Sequence, residues 1–344
     1  MSVNTHLKYL LIRFSSIGDI IFTTPLPEWL KNNDPDCIVH FLTLSEYTPL
    51  LENNPFIDKI IHINRNHSRN KLKQIANVIR SSGYDLVVDL HNSLRSKILR
   101  YDLAGISTSV YKKPRWKRFL LFYFHLNRLM DHYDISRKYI QVIDHQQDDS
   151  IKLIPKIFLS NQEKIRVREF LSSYGVKKEF IVFVPGSAWP NKIWKFKGYI
   201  ETIRTFLEEQ TLDVVLLGGK NDVICDIISE QIKGVKNLKG KSNLRMSLAI
   251  LSLAQTAVGS DTGLIHGSEA VGTNVVMIKG PTSKATGAST HLTNSIELKT
   301  NLWCRPCSKN GSRPCYRKKQ LCMDSITSSQ VIEAINIVTP IATT

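Results

Sequence analysis

The sequence predicts an α/β protein of two doubly wound domains facing a cleft, and three observations carry that prediction. Short apolar runs alternate with amphipathic stretches along both halves of the chain, the order expected of parallel sheets flanked by helices. A length of 344 residues exceeds what one hydrophobic core usually organises. A polar and then proline-marked stretch at residues 144–160 separates the two series. Domains of residues 1–155 and 156–344 follow from these.

The first half opens with KYLLIRF (residues 8–14), a continuous apolar run of strand length. The loop Ser15-Ser16-Ile17-Gly18-Asp19 leads from it into an amphipathic stretch over residues 20–30. CIVHFL (37–42), residues 60–63 and LVVDL (86–90) read as further strands, with a helix over 71–80. In the second half FIVFV (180–184), VVLL (214–217), 257–259 and VVMI (275–278) read as strands. Helices are expected over 197–209, 222–232, 244–253 and 263–270. No internal repeat or low-complexity tract appears.

Composition narrows the class. A hydrophobic share of 42% and a charged share of 22% exclude a disordered, collagenous or coiled-coil chain. The apolar runs fall far short of a membrane span, and the N-terminal one is broken by Arg13 with no small-residue cleavage site behind it. A cytoplasmic location is therefore expected. Forty-six Lys and Arg against 30 Asp and Glu leave a formal charge of +16. No acid lies between Asp102 and Asp131, where Lys112, Lys113, Arg115, Lys117, Arg118 and Arg128 occur, and a second acid-free stretch holds Arg305, Lys309, Arg313, Arg317, Lys318 and Lys319. Such a surplus suits nucleic acid, an acidic lipid surface or a phosphorylated substrate.

Four of the six cysteines, Cys304, Cys307, Cys315 and Cys322, crowd into a short basic segment. In a reducing compartment that favours a metal site or a structured loop over disulfides. Cys37 and Cys225 sit in periodic segments and read as small buried hydrophobes.

Doubly wound sheets bind ligands at the carboxyl ends of their strands, so the loops there carry the chemistry. In Ser15–Asp19 the aspartate either caps a helix or presents a carboxylate. Pro185-Gly186-Ser187-Ala188-Trp189-Pro190-Asn191-Lys192 ends in a lysine that either meets a phosphate or is solvated on a surface turn. Asp261-Thr262-Gly263-Leu264-Ile265-His266 opens a helix whose first amides would face an anion. Asp261 could equally be a cap and His266 a buried, satisfied histidine. Gly280-Pro281-Thr282 is a fourth strand-end turn. The one D-x-D, Asp34-Pro35-Asp36, reads as a turn.

In this order and spacing the pieces LLIRFSSIGDIIFTTPL, LVVDLHNSLRS, VPGSAWPNKIW, LLGGKND, GKSNL and GSDTGLIHGSEAVGTNVVMIKGPT resemble glycosyltransferase family 9, the bacterial lipopolysaccharide heptosyltransferases. The resemblance runs from about residue 8 to about residue 325. It implies a GT-B fold of two Rossmann-like domains, the N-terminal one holding the acceptor and the C-terminal one the nucleotide sugar. It also implies inverting transfer of heptose from ADP-heptose to a core-oligosaccharide hydroxyl, with no cofactor and no divalent ion. Asp19 falls on the family's catalytic aspartate, where a base is needed to take the acceptor proton. Lys192, Ser187 and the Thr262 and Gly263 amides would stabilise the departing diphosphate. Asp261 would hold donor hydroxyls, His266 would support the same helix end, and Asp222 would meet the ribose or adenine. Arg95, Lys112, Lys113, Lys117 and Arg118 are the candidates for an anionic lipopolysaccharide-core acceptor at the inner membrane surface.

Departures from the family pattern stand at Lys195, where proline commonly follows the tryptophan, at Gly267 and Glu269, and at His91, where glutamine is frequent. None removes a proposed catalytic group, but they leave the transferred sugar open. One alternative keeps the fold with another nucleotide sugar or glycan acceptor. A more distant one is a nucleic-acid-binding protein whose four clustered cysteines hold zinc. Against it, C-x2-C-x7-C-x6-C is not a standard zinc spacing and basic–aromatic stacking motifs are absent.

Overall fold

The computed structural model describes residues 6–129, 133–145 and 153–339. The chain forms two compact units, one of residues 1–113 and 134–158, the other of residues 114–133 and 159–344. The segment Pro114–Tyr133 thus groups with the second unit, where a single cut after residue 155 would have left it with the first. Part of the expected connecting stretch, residues 146–152, lies outside the described residues.

The first unit is built on five parallel strands, β1 (Lys8–Ile12), β2 (Ile38–Leu44), β3 (Lys59–Ile63), β4 (Leu86–Asp89) and β5 (Thr108–Val110), in the order β3-β2-β1-β4-β5. Strands covered on both faces read as unbroken apolar runs, and central β1 does so, with Leu10, Leu11 and Ile12 fully buried. The chain winds outward from β1 to β3 and then returns to β4 on the other side. The switch point therefore lies between β1 and β4, where Ile12 is in register with Asp89.

After β1 the expected single helix is two, Ile17–Ile21 and Pro25–Asn33. Pro25 lacks an N–H and cannot continue the first, but it suits the first position of the second. The Thr23 and Thr24 hydroxyls donate back to the Ile20 and Ile21 carbonyls at the break.

The second unit carries β6 (Phe180–Val184), β7 (Asp213–Leu216), β8 (Lys236–Asn237), β9 (Ala257–Ser260), β10 (Val275–Ile278) and β11 (Ile296–Leu298), all parallel, in the order β11-β10-β9-β6-β7-β8. Its switch point lies between β6 and β9. These two strands approach closely: a Cβ on Gly259 would lie 2.5 Å from the Val184 carbonyl oxygen, so a side chain there would push the sheet apart. Alternate residues of β6 feed two apolar layers, Ile181 and Phe183 on one face and Val182 and Val184 on the other. No helix among the described residues is long and apolar enough to cross a membrane.

Candidate functional site

In the first unit the site residues follow β1. Arg13, one residue past the strand, is only 2% exposed, and its guanidinium is fully engaged. Nε donates to the Ser15 carbonyl (2.7 Å), and Nη1 donates to the Leu90 carbonyl (2.6 Å) and the Tyr139 hydroxyl (2.9 Å). Nη2 lies 2.8 Å from Oδ2 of Asp19, whose side chain is 42% exposed. The Ser16 hydroxyl and amide also donate to Oδ2, at 2.9 and 3.3 Å. Oδ1 accepts no hydrogen bond among the described residues. Burial alone would push this carboxyl up; the Arg13 charge and the Ser16 bonds outweigh it and hold the pKa down at about 2. Asp19 is therefore both a helix-end acceptor and an accessible, permanently ionised carboxylate.

Beyond β4, His91 accepts the Phe14 amide at Nδ1 (3.2 Å), so Nε2 carries its proton. Burial, together with the cations Arg13 and Lys113, pushes its pKa down to about 3, so it stays neutral. Buried Asp89 pairs with Arg100 at 2.9 Å and accepts the His91 and Asn92 amides, fixing the turn. Next to these groups a cavity of about 530 Å³ is walled by Phe14, Ser15 and Leu72, with Arg65, Arg69 and Arg95 among its lining. Arg95 lies over the Phe14 ring and donates to the Arg65 carbonyl at 2.6 Å. Of the other acceptor candidates, Lys112 and Lys113 belong to this unit, whereas Lys117 and Arg118 belong to the second.

In the second unit the loops after β6, β9 and β10 converge on one carboxylate. Lys192 Nζ lies 2.8 Å from Asp261 Oδ2 and donates to the Asp261 carbonyl at 2.5 Å. The Thr282 hydroxyl donates to the same Oδ2 at 2.6 Å, and His266 Nε2 sits 3.0 Å from Oδ1. Burial opposes ionisation of Asp261; the charges of Lys192, His266 and Lys279 and the histidine bond override it and keep the carboxyl well below the usual range. Both oxygens are thus engaged. Asp261, the candidate to hold donor hydroxyls, thereby also orients Lys192. The Thr262 hydroxyl, at the N-cap of the Gly263–Ala270 helix, is buried without a partner among the described residues.

Asp222 stands between two strand-end loops. Its Oδ2 accepts the Gly219 amide at 2.6 Å, and a Cβ on Gly186 would lie 2.3 Å from its Cγ, so only glycine admits this contact. Ser187, on the same loop as Gly186, is partly exposed. The departures at Lys195 and Glu269 are accommodated. Lys195 pairs with Asp324 at 3.1 Å, and buried Glu269 accepts the His291 and Leu292 amides at 2.8 and 3.0 Å.

The cysteine-rich segment braces the lysine loop. Asn191 Nδ2 donates to the Gly311 and Arg313 carbonyls (3.0 Å each), and Gln320 donates back to the Asn191 carbonyl at 2.5 Å. Arg305 donates to the carbonyls of Lys279, Gly280, Thr282 and Thr300, which holds the turn that carries Thr282. All six cysteines are free thiols, and among the described residues no three His, Cys, Asp or Glu side chains converge to hold a metal ion. The zinc reading of Cys304, Cys307, Cys315 and Cys322 finds no support in this geometry. The sequence gives no role to Arg13 or Arg305 and reads Thr282 only as part of a strand-end turn; Arg13 left a signal of its own, a lone charge ending an apolar strand.

A sequence profile for glycosyltransferase family 9 (heptosyltransferase) matches residues 72–316. The chain belongs to glycosyltransferase family 9. This family 9 glycosyltransferase is 26% identical to lipopolysaccharide heptosyltransferase 3 of Escherichia coli over 345 residues, covering 95% of this chain and 98% of that protein. Among solved structures, a glycosyltransferase of family 9 from Veillonella parvula superposes with a TM-score of 0.79 at 22% identity, covering 98% of this chain and 99% of the other. The E. coli ADP-heptose lps heptosyltransferase II superposes with a TM-score of 0.75 at 22% identity, covering 96% and 98%. The fold of this glycosyltransferase is accordingly GT-B, two Rossmann-like parallel-sheet units.

Proposed function

We propose that this chain transfers heptose from ADP-heptose, with inversion, to a hydroxyl of the lipopolysaccharide inner core. The observation that carries the proposal is the division of labour within Asp19. Oδ2 is anchored by Arg13 and Ser16, while Oδ1 of the same exposed carboxylate accepts no hydrogen bond among the described residues. Such a group is ionised at any working pH and keeps one oxygen for an incoming proton. The names of the lipopolysaccharide heptosyltransferases to which the chain is similar support the choice of donor and acceptor.

In this reading the acceptor oxygen attacks the anomeric carbon as the bond to the diphosphate breaks, and its proton passes to Asp19 Oδ1. A carboxylate held near 2 is a weak base, so it takes the proton late, once the attacking hydroxyl has become acidic through bond formation. Lys192, aimed by Asp261, and the Thr262 and Gly263 amides meet the charge that grows on the ADP leaving group. Ser187 and the Thr262 hydroxyl, which has no partner among the described residues, supply further donors to the phosphates, and Asp222 faces the nucleoside. His266 and Thr282 hold Asp261 in place. Arg95 and the arginines lining its cavity receive the anionic acceptor. The enzyme works at the cytoplasmic face of the inner membrane, against which it sits as a peripheral protein.

The test is direct. Purified protein with ADP-heptose and heptose-free core acceptor should release ADP and extend the acceptor by one heptose, with and without chelator. Turnover with a UDP- or GDP-sugar in place of ADP-heptose would overturn the donor assignment.

A further inference from the structure

The outer face of the Arg115–Phe124 helix is unusual for a water-facing surface. Its one fully buried side chain is Leu121, while Trp116 (69% exposed), Phe119, Tyr123 and Phe124 stand in solvent. Trp116 stacks on Phe119 with ring centroids 5.5 Å apart, and Phe119 meets Tyr123 at 4.9 Å, so these rings form one strip. Leu126, just past the helix, extends it.

The cysteine-rich segment of the same unit continues this strip. Arg313 lies over the Tyr123 ring at 4.5 Å and donates to the Phe122 carbonyl at 3.1 Å. His125 meets the ring of exposed Trp303 edge-on at 5.3 Å, and Trp303 in turn neighbours exposed Tyr316. Arg317 lies over both the Trp303 and Tyr316 rings. Two stretches almost 200 positions apart thus share one aromatic surface. Arg115, Lys117, Arg128, Lys309, Arg313, Lys318 and Lys319 are exposed on the two stretches, and neither stretch contains an acid.

An exposed apolar patch of this extent marks a binding surface. Its cations decide the partner. A second copy of this chain would bring like charges together, whereas rings interleaved with Lys and Arg match the interface of an anionic bilayer, where aromatic rings sit at headgroup level and each cation adds attraction. We infer that the helix Arg115–Phe124 and the cysteine-rich segment together form a composite docking surface for an anionic membrane, carried by the unit to which we assign the nucleotide sugar. This rests on, and sharpens, the reading of a peripheral enzyme acting on a membrane-borne acceptor.

The full chain is mixed with vesicles of phosphatidylcholine alone or with one third phosphatidylglycerol, without donor or acceptor. Binding is expected only to the anionic vesicles, with a blue shift of tryptophan emission and loss on raising salt. Trp116→Ala/Phe119→Ala/Tyr123→Ala and, separately, Trp303→Ala/Tyr316→Ala should each weaken it at least tenfold. ADP affinity and turnover on a delipidated acceptor should stay at wild-type values, which shows each variant folded and tests the transfer reaction separately. Absent binding to anionic vesicles, or equal binding by both variants and wild type, would overturn the inference. So would a wild-type dimer in sedimentation that the aromatic variants abolish, because the patch would then be a subunit contact.

Discussion

Arg13 and Asp19 form an ion pair of unequal partners: the guanidinium is 2% exposed and the carboxylate 42%, with Nη2 and Oδ2 2.8 Å apart. The buried partner cannot leave, since the Ser15 and Leu90 carbonyls and the Tyr139 hydroxyl hold its other nitrogens. The exposed partner is therefore fixed in direction although it faces outward. An arrangement of this kind keeps a carboxylate oriented without closing it off.

Replacing Asp19 by Asn removes the proton acceptor and keeps the shape. A general base typically contributes 10²–10⁴-fold, so kcat should fall by about that factor. ADP affinity and melting temperature should change little, since the nucleotide is assigned to the other unit. A kcat within about tenfold of wild type would leave Asp19 with its helix-capping role alone.

Arg13→Gln tests what keeps Asp19 ionised. With the cation gone the strongest force that lowers the pKa is lost while the Ser16 bonds remain, so the pKa should rise from about 2 towards the ordinary carboxylate value of ~3.9. Wild-type kcat/KM should then be flat on the acid side down to the pH at which the protein unfolds, while the variant gains an acid limb at about pH 4. Coincident profiles would mean that Arg13 supports the fold but not the charge state of Asp19.

Much of the fold was legible because parallel strands buried on both faces must be continuous apolar runs, as KYLLI and FIVFV are. The loops behind them, with Asp19, Lys192 and Asp261, were legible for the same reason: doubly wound sheets leave their strand ends open to ligands. What the sequence hid were pairings between distant segments. Nothing near Lys192 announces that its partner is Asp261, or that Gly311 and Gln320 brace its loop. Nor does YKKPRWKRFLLFYF disclose that its aromatics face outward and group with the second unit. Helical periodicity gives a face, not the neighbour that the face meets.

His91 gives a stability test with a definite sign. Its pKa in the folded protein is about 3, against about 6.5 in an unfolded chain. Between these values the unfolded state binds the extra proton, so stability is lost as pH falls from 6.5 towards 3 and is fully present above 6.5. His91→Gln removes the titrating group. The variant should lose less melting temperature than wild type between pH 7 and pH 4.5, and parallel curves would place His91 in a solvated setting.

Lys192 and Asp261 call for a cycle, because each has two roles. Their side chains are 13% and 7% exposed, so removing one leaves the other charged in a poorly hydrated place. Breaking a buried pair costs about 3–5 kcal/mol, and Lys192→Ala should approach the lower figure because His266 and Thr282 still serve Asp261. The same variant should weaken ADP by the worth of a charge-assisted bond, roughly 1.5–3 kcal/mol, or about 10- to 150-fold in Kd. Lys192→Ala/Asp261→Asn removes both charges at once. Its stability should recover most of the loss, measured by denaturant midpoint, because no uncompensated carboxylate remains. Its ADP affinity should stay weak in calorimetry, because the cation that meets the diphosphate is still missing. Recovery of both properties in the double variant would show that Lys192 acts on ADP only by neutralising Asp261. Recovery of neither would mean that the packing of the Lys192 side chain beneath Gly311 matters more than its charge.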